Sequence, residues 1–178
     1  MQTSAPRALP WLWIAIVAVA SVALSFRLSC ATPFAALATL AALNMRRADG
    51  LVMIAAAFGL NQLVGYGFLN YPHDLDSYAW GAAIGVAAIA SYGVATVVAP
   101  RIEAYGQVVT AGVTLAAAFA AYEIVLLAAT AILPSSELAF APQIVGEIAL
   151  VNALVYPGLI LLARGADLLG LTGARVRA

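Results

Sequence analysis

Apolar residues run through this chain in long blocks, and the polar residues gather in short breaks where Arg, Asp, Pro and Asn cluster. A helix needs roughly 20 apolar residues to cross the hydrocarbon core of a bilayer. The blocks therefore predict an all-α integral membrane bundle, one domain over residues 1–178, with six transmembrane helices near 11–26, 31–45, 50–70, 78–99, 107–133 and 141–163. The second is short. At about 1.5 Å per residue it covers less than the roughly 30 Å core, so it must borrow flanking residues or shelter behind its neighbours.

Composition agrees with the pattern. Of 178 residues, 65% are hydrophobic and 9% charged, against roughly a quarter charged in a soluble domain, and the mean hydropathy is +1.01. These values exclude a water-soluble fold. The basic residues are eight Arg and no Lys, balanced by eight acids, so there is no basic surface to bind nucleic acid by counterion release. Cys30 is the only cysteine; it has no partner for an internal disulfide, and no paired-Cys or Cys/His spacing of a zinc site exists. Arginine as the sole strong base, with abundant Ala, suggests a GC-rich bacterial gene.

The arginines set the orientation. With both termini cytoplasmic, Arg7, Arg46, Arg47, Arg101, Arg164, Arg175 and Arg177 lie inside and Arg27 alone lies outside, as the positive-inside rule expects. Trp11 and Trp13 then mark the inner interface, and Tyr71, Tyr78, Trp80 and Phe140 the outer one. A competing pattern is present: Arg7, a short apolar run and Ala18-Val19-Ala20 before Ser21 resemble a secretory leader with its cleavage site. Cleavage would leave five spans and an external N-terminus; the arginine bias favours an intact first span.

On this topology the chemistry is one-sided. Cys30 and the only histidine, His73, face outward beside Tyr71, Asp74, Asp76, Tyr78 and Trp80, whereas the inner loops hold little besides Arg and small residues. An aromatic and polar rim above a helix bundle is a plain ligand-site arrangement. Each member also has a simpler reading: a lone Cys is often an inert small apolar residue, a histidine after Pro72 a solvated loop residue, and Tyr and Trp are interface residues in any membrane protein. Their convergence on one face is what favours function.

Within the spans the polar groups are Asn61, Gln62, Glu123, Glu147 and Asn152. Ionisable groups at depth face the bundle interior or a wet cavity and are functional candidates. Glu147 lies about 9 Å below the outer end of its helix, near the expected site, with Arg27 as its candidate cation. Glu123 is deeper and reads as a carboxyl hydrogen-bonded between helices. Small-residue stripes predict close helix contacts at Ala31/Ala35/Ala38/Ala42, at Gly81/Gly85, at Gly112/Ala116/Ala120 and along Ala15/Ala18/Ser21/Ser25. Pro157 removes a backbone donor from the sixth span.

No nucleotide-binding loop, zinc-protease, nucleophile-elbow or dinucleotide-binding motif occurs, and no inverted repeat of a secondary transporter is apparent. Six short hydrophobic helices, candidate chemistry in the outer loops and no ATP-hydrolysing motif together resemble the substrate-binding S components of energy-coupling factor vitamin transporters. More narrowly, Phe26-Arg27-Leu28-Ser29-Cys30-Ala31-Thr32-Pro33 with the Ala-rich helix after it is similar to the BtuM group of cobalamin S components. Asn61-Gln62-Leu63-Val64-Gly65-Tyr66-Gly67-Phe68, leading into Tyr71-Pro72-His73 and Tyr78-Ala79-Trp80-Gly81, adds to the likeness.

The resemblance implies an outward cavity for cobalamin or a related corrinoid as substrate, in a protein of the bacterial inner membrane. A cysteine would reach the cobalt; Cys30 is the residue that fits, as a soft ligand, with His73 as substitute. The ligand-binding set is then Arg27, Cys30, Thr32, Tyr71, His73, Asp74, Tyr78, Trp80 and Glu147, with Cys30 as the metal ligand. Displacement of an upper axial ligand such as cyanide by the thiolate would be the accompanying chemistry in what is primarily a transporter. The partners implied are the corrinoid, membrane lipid, and either a transmembrane coupling subunit with its ATPases or none. The first span has Ser21-x-x-x-Ser25 where many S components carry Ala-x-x-x-Ala docking pairs, which leaves a solitary transporter open. Three other readings stand beside this one: an S component for another vitamin or metal chelate, a non-transporting membrane scaffold, and a membrane enzyme with Cys30 as nucleophile and His73 as base.

Overall fold

The computed structural model describes residues 32–134 and 140–168, and within them the chain is helical with no strand. Five α-helices follow in order: α1 (Phe34–Asn44), α2 (Arg47–Gly67), α3 (Leu75–Ile102), α4 (Gln107–Ala129) and α5 (Pro142–Leu168), with one 3-10 turn (Glu103–Tyr105) between α3 and α4. They match the second to sixth predicted spans within a few residues at each end, except that α4 stops four residues before its expected end and α5 continues five beyond. The first span, 11–26, with Trp11 and Trp13, lies outside the described residues.

Four of the helices, α2 to α5, are long and apolar enough to cross a membrane. The distribution of residue sizes says the same. Gly81, Gly85, Ala88, Tyr92, Ala95 and Ala99, spaced four and three apart, are buried on α3 together with Ala87 and Ser91, whereas Val86, Ile89 and Val97 are exposed. On α4, Thr110, Thr114 and Ala118 are buried while Val108, Ile124 and Leu127 are exposed. Small residues inside and large aliphatics outside let backbones approach closely where lipid, not water, surrounds the bundle. The described residues are all-helical, and their apolar helices make this a multi-pass membrane protein.

The short helix is the centre of the bundle. α1 packs against all four long helices, and every residue from Thr32 to Ala41 is buried. Its Phe34, Leu37 and Leu40 meet Met53 and Ile54 of α2, Tyr92 of α3 and Val155 and Leu159 of α5 in one core, with Phe34 stacked on Tyr122 of α4 at 5.9 Å between ring centres. This is the shelter that its length demanded. An eleven-residue helix is only about 16 Å long, and polar groups from its neighbours serve its first turn. Asn152 of α5 accepts the Ala36 N–H through Oδ1 at 3.0 Å and donates to its own Ile148 carbonyl at 2.9 Å. Backbone donors at a helix start have no partner within the helix, so an Asn supplied by another helix does the work of a cap.

The remaining polar groups join helices. Ser91 donates to the Ala118 carbonyl of α4 at 2.9 Å, and the Tyr92 hydroxyl to the Arg47 carbonyl of α2 at 2.9 Å. Gly50 leaves room for that hydroxyl, since a Cβ there would overlap the Tyr92 ring. Gly81 and Gly85 are buried contacts, as their spacing predicts, lying against Gln62 and Phe58 of α2. The stripe Gly112/Ala116/Ala120 is not: all three are exposed, and the buried face of α4 is the threonine one, turned by about two residues. On a helix rich in Ala, the hydroxyls mark the inward face better than the small residues do. Both in-helix prolines, Pro100 and Pro157, are carried within continuous helices.

Candidate functional site

One end of the bundle carries the α2–α3 loop and the chain after α4; it is the aromatic end. The other carries the α1–α2 and α3–α4 links; it is the arginine end. α1 starts well below the aromatic end. Its start is met by Asn61, six residues from the end of α2, and by Asn152, ten residues from the start of α5, placing it about 9 to 15 Å inside.

At the aromatic end the chain turns tightly. The Phe68 and Leu69 amides both donate to the Val64 carbonyl, Tyr71 N–H donates to Gly65 O at 3.1 Å, and Asn70 takes a left-handed φ of 53°, a conformation Asn tolerates better than most residues. The turn lays the Tyr71 ring on Gly65, where a Cβ would sit 2.5 Å from it. α3 then starts from Asp74, whose carboxylate accepts the Ser77 N–H at 2.8 Å, an N-cap.

This local geometry gathers three rings around Tyr66. Its centre lies 5.9 Å from Tyr71, 5.5 Å from His73 and 5.1 Å from Tyr78, distances typical of favourable aromatic pairs. The Tyr66 hydroxyl is 3.2 Å from Ser77 Oγ, and His73 Nδ1 is 3.0 Å from the Tyr78 hydroxyl. His73 and Tyr78 remain exposed, so the cluster is assembled yet open. A polar track runs inward from it. Tyr66 and Gln62 converge over Gly81; Gln62 Nε2 donates to Asn61 Oδ1 at 3.1 Å, and Asn61 Nδ2 donates to Thr32 Oγ1 at 2.6 Å. The chain of amides thus leads from beside Gly81, where Tyr66 also lies, to Thr32 just before α1.

Of the residues expected from sequence, Tyr71, His73 and Tyr78 come together around Tyr66, and Thr32 is bonded to Asn61 beneath them. Asp74 is engaged as a helix cap. Trp80 is engaged elsewhere: its indole N–H donates to the Pro134 carbonyl at 2.8 Å, tying α3 to the chain after α4. Glu147 lies exposed on α5 with no hydrogen bond or ion pair among the described residues; it does not join the cluster. Arg27 and Cys30 lie outside the described residues. Tyr66, the hub, was not among the expected ligand residues; its place four residues after Gln62 puts both on one face of α2, which is the signal that marks it. Glu123 is in part as expected: Oε1 is buried, but no hydrogen bond reaches it among the described residues.

The arginine end is built differently. A cavity of about 1030 Å³ opens there between the last turn of α1 and parts of α2 to α5, lined by Asn44, Arg47, Tyr92, Glu103, Gln107 and Arg164 among others. No family model, curated protein or solved structure matches the chain.

Proposed function

We propose that the protein is a six-span binding and uptake protein for cobalamin or a related corrinoid, seated in the bacterial inner membrane with both termini cytoplasmic, and that the Cys30 thiolate is an axial ligand to cobalt. The observation that carries the reading is the exposed Tyr66/Tyr71/His73/Tyr78 cluster set above the Gln62–Asn61–Thr32 hydrogen-bond chain, whose inner end is two residues after Cys30 in sequence. A corrinoid is a large, flat, partly apolar ligand with amide edges, and it suits a site that offers ring faces beside side-chain amides.

The ligand count also favours this class. Among the described residues no three His, Cys, Asp or Glu side chains converge to hold a bare ion. A corrin ring brings its own four equatorial nitrogens, so its cobalt needs one soft or imidazole ligand from the protein. Cys30 or His73 is enough. A thiolate taking the upper position forms a Co–S bond as the Co–cyanide bond breaks and cyanide leaves. Uptake would then be driven by a coupling subunit and its ATPases, or proceed without them.

The test is an absorption spectrum of the purified protein with bound cobalamin. A thiolate ligand shifts the corrin bands; Cys30→Ala should abolish the shift and His73→Ala should retain it. Loss of the shift in His73→Ala alone would move the metal ligand to the α2–α3 loop. A spectrum unchanged in Cys30→Ala refutes thiolate ligation, and no retained cobalamin in the unsubstituted protein refutes the substrate class.

A further inference from the structure

The cavity at the arginine end has a function of its own to explain. Its lining includes the rings of Tyr92 and Tyr156 and apolar residues such as Leu43, Ala99 and Ile160. At its mouth stand Arg47, Arg164 and Glu103. None of the three side chains makes a hydrogen bond or ion pair among the described residues, although Arg101 on the same end donates to its own Val97 carbonyl. Arg47 opens α2, Glu103 follows α3, and Arg164 lies near the end of α5, so the mouth sits where the spans leave the hydrocarbon. Among the lining residues two guanidinium groups stand against one carboxylate, and guanidinium is the side chain that grips phosphate through paired N–H donors.

We propose that this cavity binds a phosphate group, and that its source is an anionic phospholipid whose headgroup rests on Arg47 and Arg164 while its acyl chain enters between the apolar flanks. Basic pockets between transmembrane helices at the membrane surface take anionic headgroups in this way. The volume exceeds what a free phosphate ion needs and suits a headgroup with the adjoining chain. The site lies at the opposite end from the aromatic cluster and does not depend on the corrinoid reading.

The full-length protein, purified in mild detergent from membranes containing phosphatidylglycerol, would be weighed intact by native mass spectrometry to count retained lipid. The Arg47→Gln/Arg164→Gln variant should retain phosphatidylglycerol roughly tenfold less well than the unsubstituted protein, whereas Arg101→Gln, at the same end but off the cavity, should match it. Helical circular dichroism of the double variant separates lost binding from lost fold. A second arm adds inorganic phosphate to delipidated protein. Saturable thermal stabilisation by phosphate that the double variant lacks, without lipid retention, keeps the site and assigns it to a soluble phosphate compound. Equal lipid retention by all three proteins, with no effect of phosphate, overturns the proposal.

Discussion

The two ends of this bundle use polar side chains in opposite ways. At the aromatic end the residues around the ring cluster are engaged by neighbours: His73 by Tyr78, Tyr66 by Ser77, Asp74 by Ser77 N–H and Trp80 by Pro134. At the arginine end the side chains of Arg47, Arg164 and Glu103 line a cavity with no hydrogen bond or ion pair among the described residues. The first is a preorganised surface, whose rings are already held and cost little further ordering when a ligand arrives. The second holds charge in reserve, which only a ligand or the solvent satisfies. A membrane protein can thus present a rigid site and an adaptable one at the two ends of one short central helix.

The contrast can be broken at its hinge. Asn152→Ala removes the acceptor of the buried Ala36 N–H; an orphaned buried donor costs about 1–3 kcal/mol. The thermal midpoint in detergent should fall by several degrees, at about 2–4 °C per kcal/mol, with both ends weakened together. An unchanged midpoint would show that α1 is not held by α5.

Gly65→Val is next. Its side chain would collide with the Tyr71 ring, an overpacking worth about 1–3 kcal/mol, and should scatter the aromatic cluster while leaving the far cavity intact. Near-ultraviolet circular dichroism reports the rings, and lipid retention reports the other end; loss of both signals would mean the ends are not independent. Asp74→Ala deletes the cap of α3 and should cost about 1 kcal/mol, read as faster hydrogen exchange in residues 75–78 alone. Ser91→Ala removes a single interhelical bond at mid-bundle and should cost about 0.6 kcal/mol, with neither end perturbed.

How much of this was legible in sequence follows from the same contrast. The rings at 66, 71, 73 and 78 lie within thirteen consecutive residues, joined by one turn, so topology alone brings three of them to one face. Tyr66 was harder because it belongs to a span, where an aromatic reads as lipid-facing. Asn152 was visible as a costly polar group in the sixth span, but its use as a cap depends on α1 starting inside the bundle, which periodicity does not encode. The arginine-end cavity draws on residues from Ala42 to Arg164; no local pattern announces it, and the loops there read as holding little besides arginine and small residues. The exposed Gly112/Ala116/Ala120 stripe is the reverse error, since spacing identifies a small face and says nothing of which way it turns.

The account rests most on the assignment of ligand binding to the aromatic end, and an equilibrium titration tests it directly. Cobalamin would be titrated into the purified full-length protein, into Tyr66→Ala and into Arg47→Gln/Arg164→Gln. Without the Tyr66 ring, the Tyr71, His73 and Tyr78 rings it now holds must be ordered when the ligand binds, at about 0.5–1.5 kcal/mol per side chain, so Tyr66→Ala should weaken binding by roughly tenfold or more while the arginine variant binds as the unsubstituted protein does. Undiminished affinity in Tyr66→Ala, with loss in the arginine variant, would contradict it and move the cobalamin site to the other end.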